Sequence, residues 1–199
     1  MSATKLLASI IILIICVIYY FYKIDNSVYI KSTVDNKYYQ VRDLPDKQEV
    51  ADNLAYIKKN IQTLIDHMMH SQQESTSPEG FKSYIIKLND KFSNVLISEN
   101  IYDFYYTSYS LNKGEKLVFC MRSRKLSDND KKHDINLMMY VALHEISHIA
   151  CPEYGHTQKF KDIFKYITKN AIDLGIYTQI DFKNLPTEYC GLTIADSIV

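Results

Sequence analysis

His144, Glu145 and His148 stand in the run Val141-Ala-Leu-His-Glu-Ile-Ser-His148, and His156 follows eight residues later, directly after Gly155. On an α-helix, side chains four apart share one face, a turn above each other. His144 and His148 can therefore aim two imidazole nitrogens at one point, and Glu145, next along the helix, can reach a water bound there. Two nitrogen ligands beside a carboxylate base are what zinc-dependent peptide hydrolysis requires. His156 becomes a third ligand if the chain turns back beyond the helix. The segment Ile149-Ala-Cys-Pro152-Glu-Tyr-Gly155 carries the Pro and Gly for a stop and a turn. The competing explanation is a chance match on a solvated or core helix. Leu137, Met138, Val141, Ile146 and Ile149 count against it, since a surface match has no use for a buried face.

The elements that position these residues can be read from caps and periodicity. Asp134 or Asn136 can cap the histidine-bearing helix, and Thr157 can cap the next one, whose inward face is Phe160, Ile163, Phe164 and Ile167. Asn170 to Gly175 closes that helix. Glu49 to Gln72 reads as a long helix with Val50, Leu54, Ile57, Ile61, Leu64 and Met68 on one side. That spacing also suits a coiled-coil seam, but about three heptads more often form one amphipathic helix on a core. Its histidines His67 and His70 fall at the polar end and read as solvated. Phe81, Tyr84, Ile85, Leu88 and Phe92 give another helical face. Val95 to Ile97, Thr107 to Leu111 and Lys116 to Met121 then change to strand period, with Asn112-Lys-Gly-Glu115 turning the last two into a hairpin. A free strand edge there could pair with an extended peptide. An ordinary sheet strand fits equally well. The tail from Asp181, with Pro186 and Tyr189-Cys-Gly191, reads as an extension packed back on the domain. Tyr189 or Tyr154 is a candidate to steady an oxyanion through its phenol.

Composition narrows the function classes. The 199 residues carry 23 basic and 23 acidic side chains, a formal net charge of zero, so no overall field draws a nucleic acid or an anionic surface. The 17 tyrosines, with no tryptophan, suit half-buried sheet surface better than base stacking. Cys16 falls in an apolar run, leaving Cys120, Cys151 and Cys190 for the folded part; no Cys-x-x-Cys pair occurs. That odd number argues against a disulfide framework and for a reducing compartment. Cys151 reads as a buried structural cysteine. The loop Ser71 to Gly80 and the charged stretch Ser123 to Lys132 read as solvated. The basic residues Arg122, Arg124, Lys125, Lys131 and Lys132 are interleaved there with Asp128, Asp130 and Asp134.

Leu6 to Tyr22 is a 17-residue run without a charge, flanked by Lys5 and Lys23. It predicts an uncleaved signal-anchor, because bulky Tyr19-Tyr-Phe-Tyr22 occupies the place of a cleavage site. The expected organisation is a transmembrane segment over 1–23, a stalk over 24–48 and one domain over 49–199. Lys23, Lys31, Lys37 and Arg42 outnumber Lys5 and the α-amino group, which puts the domain on the cytosolic side of a viral or host membrane.

Around His144 the chain resembles the zincin metallopeptidases of the WLM and SprT-like group, most of all the WLM-like metallopeptidases of large DNA viruses. The resemblance rests on Val141 to His148, Gly155-His156 and Phe160, covers 95–190, and is strongest over 133–164. It implies an α+β fold, a small zincin-like domain with active-site helices on a short, mainly antiparallel sheet. It also implies Zn²⁺ held by His144, His148 and His156, with Glu145 as the catalytic base. The expectation is a membrane-anchored zinc endopeptidase acting on a protein or peptide. Two alternatives stand beside it: a DNA-stimulated protease acting on DNA–protein crosslinks, as among some relatives, and a catalytically silent metal-binding or interaction module. The neutral charge and the absence of a zinc ribbon count against the first, and the intact Glu145 against the second.

Overall fold

The computed structural model describes residues 3–24, 26–73, 79–101, 106–125, 127 and 130–199. A helix α1 (Ala3–Ile24) precedes two strands, β1 (Ser27–Lys31) and β2 (Tyr38–Arg42). Helices α2 (Lys47–Gln73) and α3 (Lys82–Phe92) follow, then β3 (Leu96–Glu99), β4 (Tyr109–Leu111) and β5 (Lys116–Phe119). The chain closes with α4 (Ile135–Ala150), α5 (Gln158–Asp173) and a hairpin of β6 (Thr187–Tyr189) and β7 (Leu192–Ile194).

The five-stranded sheet has the order β1-β2-β3-β5-β4, antiparallel at both ends and parallel where β3 meets β2 and β5. A parallel neighbour requires a long crossover, and α2 with α3 supplies it between β2 and β3. The apolar stripe of α2 goes into the core as its period predicts: Val50, Leu54, Ile57, Ile61, Leu64 and Met68 are fully buried. Ile85, Leu88 and Phe92 do the same for α3.

The caps form where the sequence puts them. The Asp134 carboxylate accepts from Asn136 N at 2.8 Å and Leu137 N at 3.3 Å, starting α4. Thr157 Oγ1 accepts from Phe160 N at 3.3 Å, starting α5. Helix α4 lies between α3 and α5, and beyond Asn136 only His144 and His148 of its residues escape full burial.

Several expectations are corrected. Among the described residues no helix is long and apolar enough to cross a membrane. This overturns the transmembrane signal-anchor, the membrane contact through residues 6–22 and the single-pass localisation with a cytosolic domain. The physical reason is length. A span needs about 17–25 apolar residues, so the 17-residue run stood at the lower limit. The tyrosines at 19–22 lie outside the described side chains. Residues 24–48 are not a stalk, because β1 and β2 belong to the main sheet. The sheet is mixed rather than mainly antiparallel. Cys120 and Cys190 form a disulfide, against the expectation from three cysteines, whereas Cys151 is free and buried as expected. Of the Ser71–Gly80 loop, residues 74–78 lie outside the described residues, as does Asp128.

Arg122 is also not solvated. Its side chain is 3% exposed; Nε donates to Glu99 Oε1 at 2.9 Å and Nη1 pairs with Asp46. Glu99 Oε2 in turn accepts the Arg42 backbone N–H at 2.7 Å. The guanidinium thus joins the start of α2, the end of β3 and the end of β5. Breaking a buried ion pair from one side strands the other charge and costs about 3–5 kcal/mol. Arg122→Met is expected to lower unfolding stability by about that amount in urea titrations, and adding Glu99→Gln should recover part of the loss.

Candidate metal centre

His144 and His148 sit one turn apart on α4, as their spacing requires. After α4 the chain passes Pro152 and reverses at Gly155, whose φ of 77° suits glycine and few other residues. The reversal brings His156 back over the helix. His144 Nε2 then lies 3.2 Å from His148 Nε2 and 3.0 Å from His156 Nε2. Three imidazole nitrogens thus face a common point.

The turn that delivers His156 is tied down by charge. Lys113 Nζ, from the β4–β5 turn, donates to the carbonyls of Cys151, Pro152 and Glu153 at 3.1, 2.8 and 3.2 Å. Lys87 of α3 donates to the same Cys151 carbonyl at 3.2 Å. Carbonyls beyond a helix C-terminus lack intrahelical partners and attract cations. The Lys159–Glu153 ion pair at 2.6 Å fastens the other end of the turn to α5. The rings themselves rest on α5: Phe160 stacks on His148 with centroids 4.1 Å apart, and Phe164 meets His144 edge-on at 5.2 Å.

Burial keeps His144 and His148 neutral. Burial, then the neighbouring His148 and His156, pull His144 down to about 3. Burial, then His156 and Lys113, pull His148 down to about 4. Neutral imidazoles with converging lone pairs cannot all satisfy one another by hydrogen bonds, since each shared contact needs one proton. A divalent cation accepts all three. The donor set therefore fits a borderline metal such as zinc, with three nitrogen ligands and a further position left for exchange.

Glu145 is 6% exposed and lines the same cavity. Burial pushes its carboxyl up to about 8. The cavity measures about 770 Å³ and is walled by the three histidines, Tyr140, Val141, Tyr189, Leu192 and Ile194, with the β4 residues Tyr109 and Ser110 along one side. Strand β4 is the last of the sheet, and no strand flanks its outer edge among the described residues. Of the two candidate phenols, Tyr154 is 84% exposed at the rim, with Lys113 Nζ 4.1 Å from its ring centre. Tyr189 is 4% exposed, and its hydroxyl bonds to Ser108 Oγ. Burial raises the Tyr189 phenol, the Glu145 charge adds to this, and Ser108, the Cys120 backbone and Arg124 pull against it. Glu145 and Tyr189 thus meet in one cavity, 44 residues apart in the chain, counted as 189 less 145.

Sequence reasoning did not single out Ser108, Lys113 or the supporting role of Phe164. The only local signal for Phe164 was its place four residues after Phe160; Ser108 and Lys113 carried none. His67 and His70 stand exposed and outside the histidine centre, as expected.

No protein-family model matches the chain, and no solved structure matches it. Over 193 residues it is 40% identical to "Uncharacterized protein R325" of Acanthamoeba polyphaga mimivirus, a match covering 96% of this chain and 95% of that protein. It is 39% identical over 83 residues to "Uncharacterized protein 136R" of Invertebrate iridescent virus 6, covering 42% of this chain and 44% of that protein. A similar protein, 042R of Invertebrate iridescent virus 3, is 34% identical over 108 residues, covering 53% of this chain and 60% of its own. All three are viral proteins.

The buried carboxyl has a consequence for the metal-free chain. Glu145 holds its proton more tightly folded, at about 8, than at its ordinary 4.5. Its contribution to stability is therefore full below about pH 4.5 and is lost as the pH rises through about 8. His144 and His148, held neutral in the fold, oppose this trend only in part, since their unfolded-state imidazoles finish losing protons about one unit above their ordinary 6.5. Thermal melts in chelator should show Tm of the wild type falling between pH 6.5 and 8, and Glu145→Gln should remove most of that fall.

Proposed function

The chain belongs to the viral family that includes the mimivirus protein, and for it we propose a zinc-dependent endopeptidase activity. The observation that carries the proposal is the convergence of three imidazole nitrogens beside the buried Glu145 carboxyl in one cavity. His144, His148 and His156 would hold the metal. Bound zinc supplies a Lewis acid for the scissile carbonyl and makes water acidic enough to attack at neutral pH.

The remaining chemistry falls to side chains of the chain itself. A Glu145 carboxylate oxygen takes the proton of the attacking water and returns it to the nitrogen of the leaving amine, so water adds across the peptide C–N bond. A nearby cation favours the charged form of Glu145, reversing the effect of burial. The Tyr189 hydroxyl, held by Ser108, donates to the oxygen on which negative charge develops. An extended substrate lies along the outer edge of β4 and pairs with its backbone. Apolar substrate side chains meet Val141, Leu192 and Ile194. A silent metal module would have no use for a desolvated carboxylate at this position, which favours the hydrolytic reading.

The test starts from the purified full chain. Wild type is expected to carry about one zinc at this centre, more weakly held in His156→Ala. Glu145→Gln should keep the zinc and lose cleavage of an unfolded protein mixture, scored by mass spectrometry of new termini. Cleavage that survives Glu145→Gln would sink the mechanism, and a folded wild type that takes no zinc would sink the centre. Tyr189→Phe is expected to lower kcat roughly 10²-fold with zinc retained.

A further inference from the structure

A second group of ligand side chains converges away from the histidine centre. Cys120 follows β5, His133 precedes the cap of α4, and Cys190 lies in the β6–β7 turn. Their ligand atoms lie within 4.8 Å of one another. Cys120 is 5% exposed and Cys190 is 4% exposed.

The surroundings of the sulfurs are unusual for a disulfide. Cys190 Sγ is 3.4 Å from the Cys120 carbonyl oxygen, 3.3 Å from that of Arg122 and 3.4 Å from His133 Nε2. Cys120 Sγ is 3.3 Å from the same Arg122 oxygen. His133 Nε2 accepts the Cys190 backbone N–H at 3.2 Å, so this nitrogen bears a lone pair rather than a proton. The atoms that face the two sulfurs, two carbonyl oxygens and this ring nitrogen, are thus all acceptors. A disulfide has no proton to offer any of them, and two thiols could offer only two. A cation would give the sulfurs and the Arg122 carbonyl a common partner, and would take the His133 Nε2 lone pair in place of the Cys190 N–H.

We infer that the dithiol form of Cys120 and Cys190, together with His133, is a second metal site, selective for a thiophilic divalent ion such as zinc. Two thiolates and one imidazole are a frequent zinc ligand set, and the Arg122 carbonyl oxygen is the nearest further donor. The site opens by reduction. Two equivalents of a small thiol convert the protein disulfide to two thiols and leave as one small disulfide, and metal binding then releases the two thiol protons. Either bridge, disulfide or metal, fastens the hairpin turn beside Tyr189. That turn needs fastening: Cys190 has φ of 50° and Gly191 of 84°, and a left-handed conformation is unfavourable for cysteine. The inference does not rest on the endopeptidase reading, because none of its three ligands belongs to the histidine centre.

The experiment uses the full chain and the metal alone. Wild type is reduced with a phosphine, which binds zinc poorly, and loaded with Zn²⁺ or Co²⁺. Bound zinc is expected to rise from about one per chain in the oxidised form to about two in the reduced form. The cobalt form should gain a thiolate-to-metal charge-transfer band that Cys190→Ser abolishes. His133→Ala should weaken binding at this site by at least about tenfold. In His144→Ala/His148→Ala, reduced protein should still bind about one zinc and oxidised protein none, which separates this site from the first. Reduced wild type whose cobalt spectrum shows no thiolate band would overturn the inference and leave a structural disulfide only.

Discussion

Helix α4 must bury nearly all of its surface and still bring two imidazoles into a cavity, and the rest of the fold depends on that constraint. Beyond Asn136, His144 and His148 are its only residues short of full burial. A helix packed on every other side cannot rotate or slide without driving an apolar side chain into water or leaving a void. The histidines therefore hold their positions because Met138, Val141, Ile146 and Ile149 hold theirs. Their mutual approach, 3.0–3.2 Å between nitrogens, leaves His144 Nε2 with a single proton or lone pair to share between two neighbours.

The third histidine is positioned by a different device. His156 lies on a turn, where side-chain packing is sparse, and the turn is held by hydrogen bonds from lysines instead. Lys113 and Lys87 bind carbonyls of the turn just beyond α4, and the Glu153–Lys159 pair joins the turn to α5. Because Lys113 belongs to the β4–β5 turn, the strand edge that would accept a peptide and the loop that carries His156 share one anchor. The β4–β5 turn and the loop bearing His156 are thus coupled through three backbone carbonyls.

On the opposite wall, two long-range links gather the rest. Arg122 ties β5 to β3 and to the start of α2 through Glu99 and Asp46. Two residues earlier in the chain, Cys120 reaches Cys190 and so fixes the hairpin bearing Tyr189. The end of β5 serves as a junction: one short segment carries the guanidinium that stabilises the sheet and the sulfur that orients the C-terminal hairpin.

What the sequence determined by itself was local. The four-residue spacing of His144 and His148, the caps at Asp134 and Thr157, the stripe on α2 and the Asn112–Glu115 turn depend on neighbours within a few residues, and helix and strand periods report them directly. The viral kinship implied by the Ala-Leu-His-Glu segment holds for the relatives found. Tertiary structure alone decided the rest. The parallel pairing of β2 with β3, the membership of β1 and β2 in the sheet and the burial of Arg122 join segments far apart in the chain. The Cys120–Cys190 bridge spans 70 residues and the Ser108–Tyr189 contact 81. Composition misled at the N-terminus because a 17-residue apolar run stands at the lower limit of a membrane span, where apolar character alone does not decide the outcome. It misled at Arg122 because a charged residue reads as solvated until its two distant carboxylates are brought to it. Periodicity reports which face of an element is buried; only the packed chain decides what that face is buried against.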